Sequence, residues 1–412
     1  MEAQPRPRKS DKHLRLATRA LAGSAVAALT AGLAAVPSAH AAPALWGRPC
    51  PSAEQLVKGT TWHTHKLAPG ITLTEGNRTD DNGRGLVKMH VLSIDVDQRG
   101  VSFVPLMHAV ANRSPLSRLA AGHPHLVAAV NTGYFDFNTG APTQPLIVNG
   151  QPLVIASHYM RVLGFTAKGK IQHGRVRLDA KLFDGKLSYG IGGINNVTGG
   201  GLQAYSAKWG SRPVPSSWGS DARAVIGDLL GTNESRAAYV PQNGFVLEAD
   251  GGSASEWLSR LTAGSKAGIA AKVQQTTKQP FEQAYGVGAE VVKHHGKTRN
   301  DLACDTANTV QPARTAYGVA DHGKVFVIAE AEDHPGTDVH GLDANQMSGL
   351  MAQLGVDRAW DVDGSGSTEL LAKLPSQQAL ELRTYPADGE ERPMPVGLGI
   401  AYVKPKPVKH HK

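Results

Sequence analysis

The chain has 412 residues, 41% of them hydrophobic and 19% charged, which is enough apolar material for a sizeable core. Its formal charge of +8 comes from the ends: residues 1–41 hold six Lys/Arg against two Asp/Glu, the tail adds Lys404, Lys406, Lys409 and Lys412, and residues 42–403 are neutral. A neutral body excludes the broad basic face that nucleic-acid binding needs.

In chain order, the first element is an export signal. Arg6, Arg8, Lys9, Lys12, Arg15 and Arg19 form a basic head, residues 20–36 are apolar and Ala-rich, and Ala39-His40-Ala41 is a small-x-small cleavage site. The expectation is therefore a signal peptide over 1–41 and a secreted, extracellular product. No later apolar run reaches the ~18 residues that span a bilayer, so no membrane contact is expected after cleavage. An N-terminal extension over 42–84 precedes the main domain over 85–403, and the basic tail over 404–412 is suited to contact with an anionic cell wall. Cys50 and Cys304 are the two cysteines. In an exported chain such a pair is most simply a disulfide, with two free thiols as the alternative. No Cys-x-x-Cys or His-Glu-x-x-His spacing suggests a metal.

A mixed α+β fold is predicted, with largely antiparallel sheets and a few packed helices. Alternating apolar, β-branched runs predict strands at 86–96, 101–106, 126–130, 245–248, 316–319 and 324–329. Helical spacing marks 117–121, 254–261 and 343–354. In the last of these, Met347, Leu350, Met351 and Leu354 share one face, and Gly355 stands where the helix should end. Residues 190–236 are rich in Gly, Ser, Asn and Pro and read as a surface loop insertion; Trp209 and Trp218 within it either pin the loop or stack on a sugar.

Three polar clusters interrupt this pattern. Asn131-Thr132-Gly133-Tyr134 follows an apolar strand, where Asn-x-Gly either makes a turn or exposes an amide to a ligand. Arg314 opens the apolar strand Ala316-Tyr317-Gly318-Val319, and its planar fork suits either a carboxylate or a bound anion. Asp361-Val362-Asp363 puts two carboxylates on one face of a strand, just before the small, hydrogen-bonding run Gly364-Ser365-Gly366-Ser367-Thr368. Two carboxylates sharing a site would raise the pKa of one. Glu330 and Glu332 repeat the same spacing as a reserve acid pair. Paired carboxylates are also what Ca²⁺ accepts, but nothing in the spacing demands it, and no cofactor is expected.

Taken in order, the clusters resemble one family, the phosphodiester glycosidases. Ala129-Val130-Asn131-Thr132-Gly133-Tyr134-Phe135 resembles the family's Ala-x-Asn-Gly-Gly-Phe-Phe, and Ile147-Val148-Asn149-Gly150-Gln151 its following hairpin. Tyr285-Gly286-Val287-Gly288 is similar to a Gly-rich turn, and Arg314-Thr315-Ala316-Tyr317-Gly318 to Arg-Thr-Ala-Ile-Gly. Asp361-Val362-Asp363-Gly364-Ser365-Gly366-Ser367-Thr368 resembles Asn-Leu-Asp-Gly-Gly-Gly-Ser-Ser, and Arg392-Pro393-Met394-Pro395 the closing Arg-Pro-Val-Pro. The chain departs from the family at Thr132, Asp361 and Ser365, and it carries Glu330-Ala331-Glu332-Asp333 where an Asp-Gly-Arg is usual.

The resemblance implies hydrolysis of a sugar-1-phosphate diester in cell-wall or exogenous glycans. On that basis Asp363 is the catalytic carboxylate, Arg314 the phosphate clamp and Asn131 an orienting amide. Gly133, Thr315, Asp361, Gly364, Ser365, Gly366, Ser367 and Thr368 are expected to line the substrate. The alternative is a non-catalytic carbohydrate- or wall-binding protein on the same scaffold.

Overall fold

The computed structural model describes residues 59–79, 85–185, 187–215, 221–234, 238–294, 296–298 and 311–406. Cys50, Cys304, Trp218 and the export signal lie outside the described residues. The β-branched and aromatic content that predicted strands is realised as three sheets of 8, 12 and 5 strands. Among the described residues the strands pair antiparallel, except where Gly193–Ile194 lies parallel to Gln203 and Ala204. Helices are few: α1 (Leu116–Ala120), α2 (Gly252–Ser259) and α3 (Ala344–Gln353). The fold is thus dominated by sheet, with less helix than "α+β" conveys.

Most predicted strands appear with their ends moved by one or two residues: Leu86–Asp95, Val101–Leu106, Leu126–Asn131, Gly244–Ala249, Arg314–Ala320 and Val325–Ala331. Two regions differ from expectation. The extension before residue 85 contributes Ile71–Thr79, which pairs with Leu86–Asp95, and Thr61–Ala68, which pairs with Ile71–Thr79 at the edge of the same sheet. Residues 190–236, expected to be a surface loop, hold Leu202–Ser206 and Asp221–Ile226, which flank Gly244–Ala249 in the largest sheet. Trp209 in this segment is fully buried, with its ring edge-on to Tyr205, so it serves as core rather than as a sugar platform.

The elements that matter for function meet between two sheets. In the eight-stranded sheet, Arg314–Ala320 lies between Val325–Ala331 and Val356–Asp361, in register with Ala316 opposite Asp361. Helix α3 covers one face of this sheet, packing Met347, Leu350 and Met351 on Val291, Ala316 and Ala359. A capping box starts it: Asp343 accepts the Gln346 backbone N–H, while the Gln346 side chain accepts from the Asp343 N–H. Gly355 ends it with φ +76°, the left-handed turn that lets the chain reverse into Val356–Asp361. The five-stranded sheet brings Leu126–Asn131 alongside Gly397–Tyr402 and Leu370–Ala372. Asn131, at the end of that strand, faces the loop that leaves Asp361.

Candidate active site

The loop after Val356–Asp361 is held by its backbone at every step. The Val362 N–H donates to the Thr315 carbonyl, the Asp363 N–H to the Thr132 carbonyl and the Ser365 N–H to the Ala313 carbonyl. Asn131 Nδ2 donates to the Asp363 carbonyl at 2.7 Å, and Asn131 Oδ1 accepts from Thr315 Oγ1 at 2.9 Å. Gly364 approaches strand Arg314–Ala320 so closely that a Cβ there would lie 2.8 Å from the Ala313 carbonyl oxygen. Ser365 adopts φ +54° in a short 3₁₀ turn, the left-handed conformation that the family's Gly takes without strain and that a side chain takes at a cost of ~1 kcal/mol.

This scaffold points both aspartates into a cavity of about 270 Å³, which Arg314, Tyr134, Ser365 and Arg392 also line. Asp361 Oδ2 accepts from the Tyr134 hydroxyl at 3.2 Å, while Oδ1 is buried with no hydrogen-bond partner among the described residues. Asp363 Oδ2 accepts from Ser367 Oγ at 2.7 Å and Oδ1 from the Gly364 N–H at 3.0 Å. Burial pushes both carboxyls above the ordinary aspartate range. It is opposed at Asp361 by the Tyr134 hydrogen bond and the charge of Arg314, and at Asp363 by Ser367, Gly364 and Arg392. Burial and the adjacent Asp361 likewise push the Tyr134 hydroxyl well up, so it stays a donor.

The two arginines differ. Arg314 uses Nε to donate to the Leu342 carbonyl at 2.6 Å, and among the described residues no carboxylate pairs with its guanidinium. Arg392 is engaged by Asp388 through Nε (2.7 Å) and Nη2 (2.9 Å), and its Nη1 donates to Ser367 Oγ at 3.3 Å. Gly366 makes room for that pair: a Cβ there would sit 2.2 Å from Asp388 Oδ2 and 2.3 Å from Arg392 Nη2.

Of the residues singled out by sequence, Arg314, Thr315, Asp361, Asp363, Gly364 and Ser365 line the cavity. Asn131 does not. It is 1% exposed, and its amide ties Thr315 to the loop from behind, because the strand runs one residue past the apolar run that marked it. Gly133, Gly366, Ser367 and Thr368 also lie outside the lining; Ser367 supports Asp363, and Thr368 accepts from Thr315 Oγ1 at 3.3 Å. Glu330 and Glu332 are elsewhere. Glu330 is wholly buried with neither oxygen hydrogen-bonded, and Glu332 is bound by His90 (2.6 Å) and His334 (2.5 Å). Among the described residues no group of three or more His, Cys, Asp or Glu is arranged to hold a metal.

Sequence reasoning gave no role to Tyr134 or Arg392, although both sit inside quoted motifs, and none to Gly288. A Cβ on Gly288 would meet Asp361 Oδ1 at 2.5 Å and Tyr134 Cε2 at 3.1 Å. Gly288→Ala should therefore displace the Asp361 carboxyl and destabilise by ~1–3 kcal/mol, as overpacking does. An unchanged thermal midpoint would show that the contact yields freely.

Residues 221–401 match the phosphodiester glycosidase family. No curated protein matches the chain. Among solved structures, a hypothetical protein from Synechocystis superposes with a TM-score of 0.68 at 18% identity, covering 83% of this chain and 64% of that one. This chain therefore spans less than two thirds of that protein's length. A protein of Burkholderia pseudomallei K96243, provisionally named as exported, superposes with a TM-score of 0.61 at 17% identity, covering 77% of this chain and 74% of that one. The catalytic domain of zebrafish N-acetylglucosamine-1-phosphodiester alpha-N-acetylglucosaminidase, auto-inhibited by its pro-peptide, superposes at 0.44 with 15% identity, covering 84% and 89%. At these identities the structural likenesses bear on fold alone. Arg314, Asp361, Asp363 and Arg392 fall within the matched span, and the family that the ordered motifs resemble is the family that residues 221–401 match: the phosphodiester glycosidases.

Proposed function

We propose that the chain is an exported hydrolase that cleaves a sugar from a phosphate diester at the anomeric carbon. One observation carries the reading: a guanidinium free of carboxylate partners and two carboxyls of raised pKa line the same cavity. Perturbed acids gathered with a cation in a cleft are what acid–base chemistry on an anionic substrate requires. Arg314 binds the phosphate oxygens through its two outer nitrogens, the forked geometry that such oxygens match. The departing group is a phosphate monoester, already an anion, so it needs little protonation. Asp363 acts at the anomeric carbon, directly or through a water, and both routes need it ionised. Ser367 and Arg392 favour that ionised form. Asp361, whose carboxyl accepts from Tyr134 at the cavity wall, is placed to meet the substrate oxygens.

The test is turnover of a chromogenic sugar-1-phosphate diester by the pure protein. Release of the chromogen supports the reading. No release, with glycan binding retained, identifies a binding protein on this scaffold instead. No helix among the described residues is long and apolar enough to cross a membrane; activity recovered from the culture medium rather than the cells would support export.

A further inference from the structure

The turn that carries Tyr134 continues into an exposed loop whose role the chemistry above leaves unassigned. Phe137 in that loop is 58% exposed. It is not isolated. Its ring lies 5.2 Å from the Arg392 guanidinium at the cavity wall and 4.9 Å from the ring of Phe135, and Phe135 in turn lies 5.8 Å from the guanidinium of Arg113. On the other side Arg212 donates to the carbonyls of Thr139 (2.8 Å) and Asn138 (3.4 Å), holding the loop in place.

Arg392 is engaged by Asp388, but the two guanidinium groups that flank the loop are not so engaged. Among the described residues neither Arg113 nor Arg212 has a carboxylate partner. The carboxylate in the loop, Asp136, is folded back on its own turn, where Oδ1 accepts from the Thr139 N–H (2.6 Å) and Oγ1 (2.8 Å). The exposed Phe137 ring thus lies beside Arg392 at the cavity wall, in a loop flanked by Arg113 and Arg212, with the buried Phe135 packed against it. Aromatic faces stack on rings with little regard to substituents, and guanidinium groups meet phosphates, so an exposed ring with cations on its loop suits a chain that carries both rings and phosphates.

We propose that the Phe137 loop with Arg113 and Arg212 is an extended subsite, which binds the next units of a polymeric glycosyl phosphate while the terminal unit occupies the cavity. The substrate class is then an anionic, phosphodiester-linked glycan chain rather than a single sugar phosphate. This rests on the hydrolytic reading only for the identity of the cleaved unit, because the track itself is a binding feature.

The test is equilibrium binding of glycosyl-1-phosphate oligomers of one and of four repeats. The wild-type protein should bind the longer oligomer at least about tenfold more tightly, and added salt should erode that advantage as it screens exposed guanidinium groups. In the double variant F137A/R113A the advantage should fall to about threefold or less, while affinity for the single repeat stays as in the wild type, which also reports an intact cavity. Equal affinity for the two lengths in the wild type, or an advantage that survives the double substitution, overturns the proposal. Turnover is not part of the readout, so a protein that binds the longer oligomer preferentially but hydrolyses neither would refute the reaction and uphold the track.

Discussion

Asp363→Asn is expected to lower turnover of a glycosyl phosphodiester by about a hundredfold or more, the ordinary contribution of a positioned acid–base group, while leaving the thermal midpoint within a degree or two. The substitution preserves shape and keeps an oxygen for the Gly364 N–H, so the loop, which is held by its backbone bonds to Asn131 and Thr132, has no reason to move. Arg314→Ala should act differently. It removes the phosphate clamp and leaves the Leu342 carbonyl without its donor, so a loss of similar size should arise with a strong rise in KM. The pair separates chemistry from binding: Asp363→Asn lowers kcat, and Arg314→Ala weakens the ground-state complex as well. Near-normal kcat in Asp363→Asn would remove it from the chemistry, whatever the family.

The second large effect is a loss of stability towards alkaline pH that Glu330→Gln should relieve. Behind the active-site loop, Glu330 and Glu369 are fully buried. Among the described residues Glu330 has no hydrogen-bond partner, and Glu369 has one oxygen without a partner while the other accepts the Arg392 N–H at 2.6 Å. Burial pushes each up to about 8. Both therefore keep a proton in the fold that the unfolded chain gives up near pH 4.5, so each weakens the fold as pH rises from about 4.5 to about 8. Within that window the slope is up to ~1.4 kcal/mol per pH unit for each group.

His90 adds to the same trend. Burial lowers its pKa, but its hydrogen bond to Glu332 and its ion pair with Glu75 outweigh that and leave it at about 9, so its stabilising charge is fully present below about 6.5 and lost as pH rises through 9. Glu75 works in the opposite sense. Held down to about 2 by His90, against burial and with help from Arg383, it contributes stability above about 4.5 that disappears only as pH falls towards 2. Thermal midpoints measured from pH 5 to 9 should thus decline in the wild type and decline less in Glu330→Gln, with the variant ahead at pH 9. Parallel curves would mean that Glu330 is not the proton holder.

How far the sequence reveals this molecule depends on whether a feature is local. Val101–Leu106 and helix α3 follow from their own apolar spacing and end signals, and both appear where that spacing placed them. Thr61–Ala68 could not be read so, because Thr-Trp-His-Thr-His-Lys shows no apolar alternation; it is an edge strand, mostly exposed, specified by its partner rather than by itself. The strands within 190–236 were hidden by Gly and Ser, which suit a loop in isolation but are carried here by the neighbouring strand Gly244–Ala249. At the active site, the shared face of Asp361 and Asp363 was legible from alternation. The Tyr134 contact with Asp361 was not, since it joins residues 227 positions apart. Arg392 could have been found from its place in the Arg-Pro motif, but no spacing tells that its side chain returns to Ser367.

The bond from the Asn131 amide to the Asp363 carbonyl crosses 232 positions of sequence and links two sheets. A contact that distant costs a large loop closure and forms only after both sheets have their strands in register. The aspartate pair is therefore among the last features of the molecule to be assembled. During refolding, sheet signal should return before activity does, and a nascent chain released before residue 363 lacks three strands of the five-stranded sheet, so Leu126–Asn131 has no partner to hold Asn131 in place.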